Sequence, residues 1–145
     1  MSNLDKALSI AIQAHSGQKD KAGQPYILHP LRMMFQMGTE EEKITAVLHD
    51  VVEDSDWTIE DLRAAGFRET VVTAVDALTH REDESYEAFI ERLKPNPLAV
   101  TVKLADLTDN MDLRRLSGVT AKDLERLEKY YRAWKTLTTS QNDTR

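Results

Sequence analysis

Five glycines and four prolines in 145 residues leave this chain little material for tight turns, and that scarcity constrains its fold more than any single motif. Between these breakers, apolar residues recur at helical spacing. Leu4, Leu8, Ala11, Ile12 and His15 define a first helix that stops at Ser16-Gly17. Residues 16–28 are polar and read as a loop, and Pro30 can sit in the first turn of a second helix, LRMMFQM, that ends at Gly38. A third helix is predicted from about Glu40 to Val52, with Ile44, Val47, Leu48 and Val51 on its buried side. Thr58-Ile59-Glu60-Asp61 forms a variant capping box that opens a short helix closed by Gly66. Further helices are expected at 69–79, 85–94 and 98–111, and the last from near Thr120 through DLERLEKYYRAWKTL. No repeat, linker or low-complexity segment interrupts the pattern. The expectation is a single all-α domain over residues 1–138, a helical bundle, with 139–145 as a polar, frayed tail.

Composition limits the function classes. A chain of 145 residues that is 41% hydrophobic and 30% charged can bury a real core and is typical of soluble domains. A net charge of −6 argues against a nucleic-acid binder or an anionic-membrane binder. It leaves room for a phosphorylated small molecule, which needs only a local group of cations or a metal. The absence of cysteine excludes disulfides, thiolate catalysis and Cys-based zinc sites. MSNLDKALSIAIQAH lacks the basic and long apolar regions of a signal peptide, and no apolar run approaches the roughly 20 residues of a membrane span. A cytoplasmic protein is expected, and a homodimer is compatible with the sequence without being demanded by it.

One stretch stands apart. AVLHDVVEDSDWT, residues 46–58, ends an apolar run in His49, Asp50, Glu53, Asp54 and Asp56, with no Lys or Arg between Lys43 and Arg63. Like charges three and four apart on a helix repel, so this patch calls for something positive beside it. Two other segments supply similar chemistry. In PYILHP, His29 lies between an apolar triplet and Pro30, where a packed, hydrogen-bonded histidine is the alternative to a ligand. In VKLADLTDNM, Asp106 interrupts an apolar helix, and a buried carboxylate there needs a partner, for which Lys103 or Arg114 would serve as well as a metal. Together His29, His49, Asp50 and Asp106 make a two-His, two-Asp ligand set suited to Mn²⁺, Fe²⁺ or Zn²⁺, with Mn²⁺ favoured by the carboxylate share. Such a set leaves positions for water and a substrate oxygen, with Glu53 and Asp54 beside it as acid and base.

The order H…HD…D resembles the signature of the HD superfamily of metal-dependent phosphohydrolases. More specifically, AHSGQKDKAGQPYILHP, LHDVVEDSDWT and VKLADLTDNM resemble successive motifs of RelA/SpoT-type alarmone hydrolases, from about His15 to Asn110, with a weaker continuation in RLEKYY. With no room for a synthetase domain, the resemblance is to the small, hydrolase-only members. It implies an HD-type helical bundle, one Mn²⁺ per chain (or another divalent metal), and hydrolysis of the 3′-pyrophosphate of guanosine tetra- and pentaphosphate in the stringent response. By motif, His29, His49, Asp50 and Asp106 match the metal ligands, Glu53 and Asp54 the catalytic acid pair, and Asn110 a nucleotide contact. Some small members also remove the 2′-phosphate of NADPH. Two positions depart from the family pattern. Asp20-Lys21 stands where a basic pair usually packs on the base, and Asp109 stands where His or Tyr usually precedes the Asn.

Phosphate charge has several candidate partners. Arg114 to Lys135 holds seven Lys or Arg against three acids, and Arg126 and Tyr130 share a helical face and match an Arg and Tyr of the small hydrolases. Lys19, Lys21 and the segment THRED, with His80 and Arg81, are further candidates, each with a solvated-loop alternative. Trp57 and Trp134 are expected to pack rather than stack on a base. The competing functions are another phosphatase on the same scaffold (an NADPH 2′-phosphatase or a nucleotidase) and a non-enzymatic nucleotide-binding module. The intact Glu53-Asp54 pair argues against the latter.

Overall fold

Thr39 accepts a hydrogen bond from Glu42 N–H while the Glu42 carboxylate accepts from Thr39 N–H, a capping box that starts the helix on which the rest of the molecule is assembled. In the computed structural model, which describes residues 3–143 and side chains as far as Thr139, the elements are all helical apart from an isolated bridge between Lys19 and Pro25. In chain order they are α1 (Asn3–Ala14), α2 (Leu28–Phe35), α3 (Glu40–Leu48), α4 (Val51–Asp54), α5 (Ile59–Ala64), α6 (Glu69–Leu78), α7 (Tyr86–Leu93), α8 (Pro97–Asn110) and α9 (Ala121–Asp143). A 3-10 turn at Leu113–Arg115, which periodicity does not reveal, links the last two. The all-α expectation holds. Among the described residues no helix is long and apolar enough to cross a membrane.

Helices α2, α3 and α6 form a wall between two cores. Met33, Ala46, Leu78, Leu93, Val102, Leu107 and Leu137 pack on one side. Ala7, Met34, Val47, Leu48, Val51, Leu62 and Val72 pack on the other. Val47 and Leu48 are wholly enclosed, and each such side chain contributes roughly 1.5–3 kcal/mol on leaving water. Because α2 and α3 are joined by a short connection, the start of α2 and the end of α3 lie at the same end of the wall, where α8 packs against both.

The single third helix expected over 40–52 is broken. His49 keeps helical angles, but Asp50 leaves them at φ −123°, ψ 13°. The His49 ring Nδ1 donates to the Ala46 carbonyl at 2.7 Å, taking the acceptor that Asp50 N–H would use in a continuous helix. Asp54 N–H then restarts the helix on the Asp50 carbonyl. This break turns His49 and Asp50 inward and leaves Glu53 and Asp54 at the solvent edge, with Asp54 still beside Asp50.

Other boundaries shift less. α2 begins at Leu28, placing His29 inside its first turn rather than before it. The capping box of Thr58 and Asp61 and the stop at Gly66, at φ +94°, are as expected. The last helix continues to Asp143, through most of the stretch expected to fray, because no Gly or Pro follows Thr120 to end it. Trp57 and Trp134 are partly buried against the two cores.

Candidate functional site

Four expected ligand residues meet where α2, α3, α4 and α8 converge. His29 Nε2 lies 2.8 Å from Asp106 Oδ1, and His49 Nε2 lies 3.5 Å from that oxygen and 3.6 Å from Asp50 Oδ2. All four residues are buried. His29, His49 and Asp50 each offer a ligand atom within 4.8 Å of the others, and Asp106 joins them through both histidines.

The ring tautomers follow from the partners on the far side. His49 Nδ1 faces a carbonyl and must donate, which leaves a lone pair on Nε2. His29 Nδ1 lies 2.6 Å from Asp109 Oδ2, which fixes its proton there and turns Nε2 to the centre. In the neutral rings two imidazole lone pairs converge with two carboxylates; the carboxylates also favour a second proton on each ring, which a cation at the centre would displace. Ligands adjacent on one ion with bonds of about 2.1 Å stand about 3 Å apart, close to the separations seen. The donor set fits a divalent ion of the Mn²⁺, Fe²⁺ or Zn²⁺ class.

The surroundings hold these groups in charge and in place. Lys103 is buried, donates to Asp106 Oδ2 at 2.8 Å, and rests over the Tyr86 and Phe89 rings at 5.5 and 5.1 Å. The ordinary ion pair expected for Asp106 and its place among the ligands thus coexist, one on each oxygen. Burial pushes the Asp106 carboxyl up, but Lys103, His29 and His49 outweigh it and hold it well below the usual range. Asp50 is likewise held low against burial by His49, His15 and Tyr26, whose hydroxyl donates to Asp50 Oδ2. The His29 imidazole, despite burial, is raised to about 9 by Asp106 and Asp109.

The expected catalytic acids take different positions. Asp54 sits beside His15 and Asp50, and partial burial with the Asp50 and Glu53 charges pushes its carboxyl up to about 6. Glu53 is exposed and accepts from His80 N–H at 2.8 Å, anchored to the segment between α6 and α7.

A cavity of about 310 Å³ opens beside His29 and is lined by Lys19, Lys21, Asn110, Arg126 and Tyr130, all expected at the substrate. Asn110 also donates to Asp106 Oδ1 at 3.0 Å, joining the cavity to the ligand cluster. Arg81, also expected at the substrate, lies outside this cavity, 3.8 Å from Asp76, because the loop after α6 carries it toward the outer side of that helix.

Sequence reasoning missed Arg32 and Arg115, which line the same cavity and both pair with Asp109. It also missed Tyr26, Gln18 and His15. His15 is a polar residue at the apolar end of α1, a signal that could have marked it. The two departures from the family pattern have structural roles. Asp20 Oδ1 accepts from Ala22 and Gln24 N–H at 2.9 Å each, closing its own loop, and Asp109 anchors His29.

The chain is similar to known proteins over most of its length. Guanosine-3′,5′-bis(diphosphate) 3′-pyrophosphohydrolases of Aquifex aeolicus and Vibrio cholerae are 32% and 36% identical to it, each over 74% of the chain. A GTP pyrophosphokinase of Streptomyces coelicolor is 32% identical over 77%. The matched regions span only 17%, 17% and 15% of those three proteins. A solved structure of a metazoan ortholog of SpoT, described as hydrolysing ppGpp and acting in starvation responses, superposes with a TM-score of 0.74 at 25% identity, covering 97% of this chain and 85% of that one. The HD domain model matches residues 7–128, and the chain belongs to the HD domain family.

Proposed function

We propose that the chain is a divalent-metal-dependent phosphohydrolase, with Mn²⁺ as the ion, that removes pyrophosphate from the 3′ position of guanosine tetra- or pentaphosphate. The observation that carries this reading is the junction of the buried two-His, two-Asp cluster with a cavity ringed by cations, Asn110 touching both. The names of its relatives supply the substrate class.

His29, His49, Asp50 and Asp106 would hold the ion, which when bound supplies Lewis acidity and a water more acidic than bulk water. Asp109 and the Ala46 carbonyl keep the two imidazoles turned toward it. Asp54, with its carboxyl near 6, accepts the proton of the attacking water at neutral pH. Glu53, fixed by His80 N–H, orients that water. The water oxygen bonds to the phosphorus next to the ribose 3′ oxygen, the P–O3′ bond breaks, and the proton passes to the 3′ oxygen, giving pyrophosphate with GDP from the tetraphosphate or GTP from the pentaphosphate. Lys19, Lys21, Arg32, Arg115 and Arg126 on the cavity wall meet the phosphate charge.

A second reading, NADPH 2′-phosphatase, is favoured by one observation. Asp20 stands in place of a cation and spends a carboxylate oxygen on its own loop, weakening the expected grip on guanine. Hydrolysis of both nucleotides in ¹⁸O-water separates the readings. GDP with labelled pyrophosphate supports the first, NADH with labelled inorganic phosphate supports the second, and neither product contradicts both.

A further inference from the structure

The two oxygens of Asp50 face different neighbours. Oδ2 faces His49 and Tyr26 in the cluster already described, whereas Oδ1 lies 3.1 Å from His15 Nε2. Gln18 determines what that nitrogen carries. Its amide nitrogen donates to the carbonyls of Ala14 and Asp54 at 3.2 and 3.0 Å, so its amide oxygen is the atom 2.8 Å from His15 Nδ1. An amide oxygen only accepts, so Nδ1 bears a proton, and in the neutral ring Nε2 presents a lone pair.

The His15 side chain is fully enclosed, and neither its Nε2 nor Asp50 Oδ1 makes a hydrogen bond, because their short approach is off the bonding axis. A buried pair left unbonded is costly unless a second ring proton or a cation lies between them. Asp54 adds a third donor atom, a carboxylate oxygen, the three residues each offering one such atom within 4.8 Å of the others. Among the described residues Lys103 pairs with Asp106, and Arg32 and Arg115 pair with Asp109, but no Lys or Arg pairs with Asp50 or Asp54. The off-axis spacing of 3.1 Å matches adjacent ligands on an octahedral ion, which stand about 3 Å apart for bonds of about 2.1 Å.

We propose that His15 Nε2, Asp50 Oδ1 and an Asp54 carboxylate oxygen form a second divalent-cation subsite, joined to the first through the two oxygens of Asp50. One imidazole and two carboxylates, with the remaining positions open to water or a phosphate oxygen, suit Mn²⁺ or a similar hard ion. An ion there takes the Asp54 oxygen assigned above to the proton, so filling the subsite slows hydrolysis. That consequence rests on the proposed function; the subsite itself does not.

The test is a calorimetric titration of the full, chelator-stripped chain with Mn²⁺ alone, paired with electron paramagnetic resonance to count ions and detect coupling between them. The expected result is two ions per chain, magnetically coupled when both are present. His15→Gln and, independently, Asp54→Asn should each weaken only the second ion, by more than about tenfold, the least that changes outside the ligand shell cost. Saturation of the wild-type chain at one ion overturns the subsite, as does a second ion that persists unchanged in both variants. Circular dichroism checks that each variant is folded, and either folded variant is sufficient for the comparison.

Discussion

His29 Nδ1 lies 2.6 Å from Asp109 Oδ2, and Asp109 is itself gripped by Arg32, whose Nε and Nη2 donate at 2.8 and 2.9 Å. Asp109 therefore determines which ring nitrogen of His29 faces the cluster. Asp109→Ala frees that ring and should weaken Mn²⁺ binding by about 10- to 100-fold. Asp109→Asn, which can still accept from Nδ1, should lose less. Mn²⁺ titration of the three proteins checks the order, and equal affinities would remove Asp109 from this role.

Glu53 is held by the His80 N–H rather than by the ligand cluster. Glu53→Ala should therefore keep its Mn²⁺ and lose turnover by about 10²-fold or more, the share expected of general acid–base groups. Parallel measurements of metal affinity and kcat test this. Unchanged kcat would exclude Glu53 from the reaction.

Asp54 gives a pH dependence of stability. Its folded carboxyl titrates near 6, above an unfolded Asp near 4, so the folded chain holds a proton that the unfolded chain releases between these values. The sign follows directly: this contribution to stability is present below about pH 4 and lost as pH rises through about 6. In chelator-treated protein, Asp54→Asn should melt higher than wild type at pH 7 and equal to it near pH 4. Allowing for solvent screening, the gain is about 1 kcal/mol, roughly 2–4 °C for a chain of this size. A lower melting point at pH 7 would contradict the assignment.

Lys103 is the only Lys or Arg paired with Asp106 among the described residues. Lys103→Met keeps its length and apolar contacts while leaving a buried carboxylate without its cation. The expected loss is about 3–5 kcal/mol in urea unfolding of metal-free protein. A loss below about 1 kcal/mol would show that the histidines alone balance Asp106.

The helices and the buried His and Asp cluster were legible in the sequence for different reasons. Helices α1, α5 and α6 follow from periodicity, a capping box and Gly66, all local signals. His29, His49, Asp50 and Asp106 were legible because polar, metal-ligating types interrupt apolar runs. The break between α3 and α4 was not, because Val47, Leu48, Val51 and Val52 continue a helical pattern across it, and the hydrogen bond that diverts the backbone comes from a side chain. Arg32 and Arg115 look like ordinary surface arginines until the fold sets them on Asp109. Asp109 itself was within reach: three residues after Asp106, it shares that residue's helical face. Arg81 illustrates the reverse, a plausible cation in a loop that the fold directs elsewhere.

The most direct test is chromatographic analysis of guanosine tetraphosphate incubated with chelator-stripped protein, before and after Mn²⁺ is restored. The account predicts no reaction without the ion, and GDP with pyrophosphate once it returns. Turnover that survives chelation, or its absence in protein shown to have bound Mn²⁺, would contradict it.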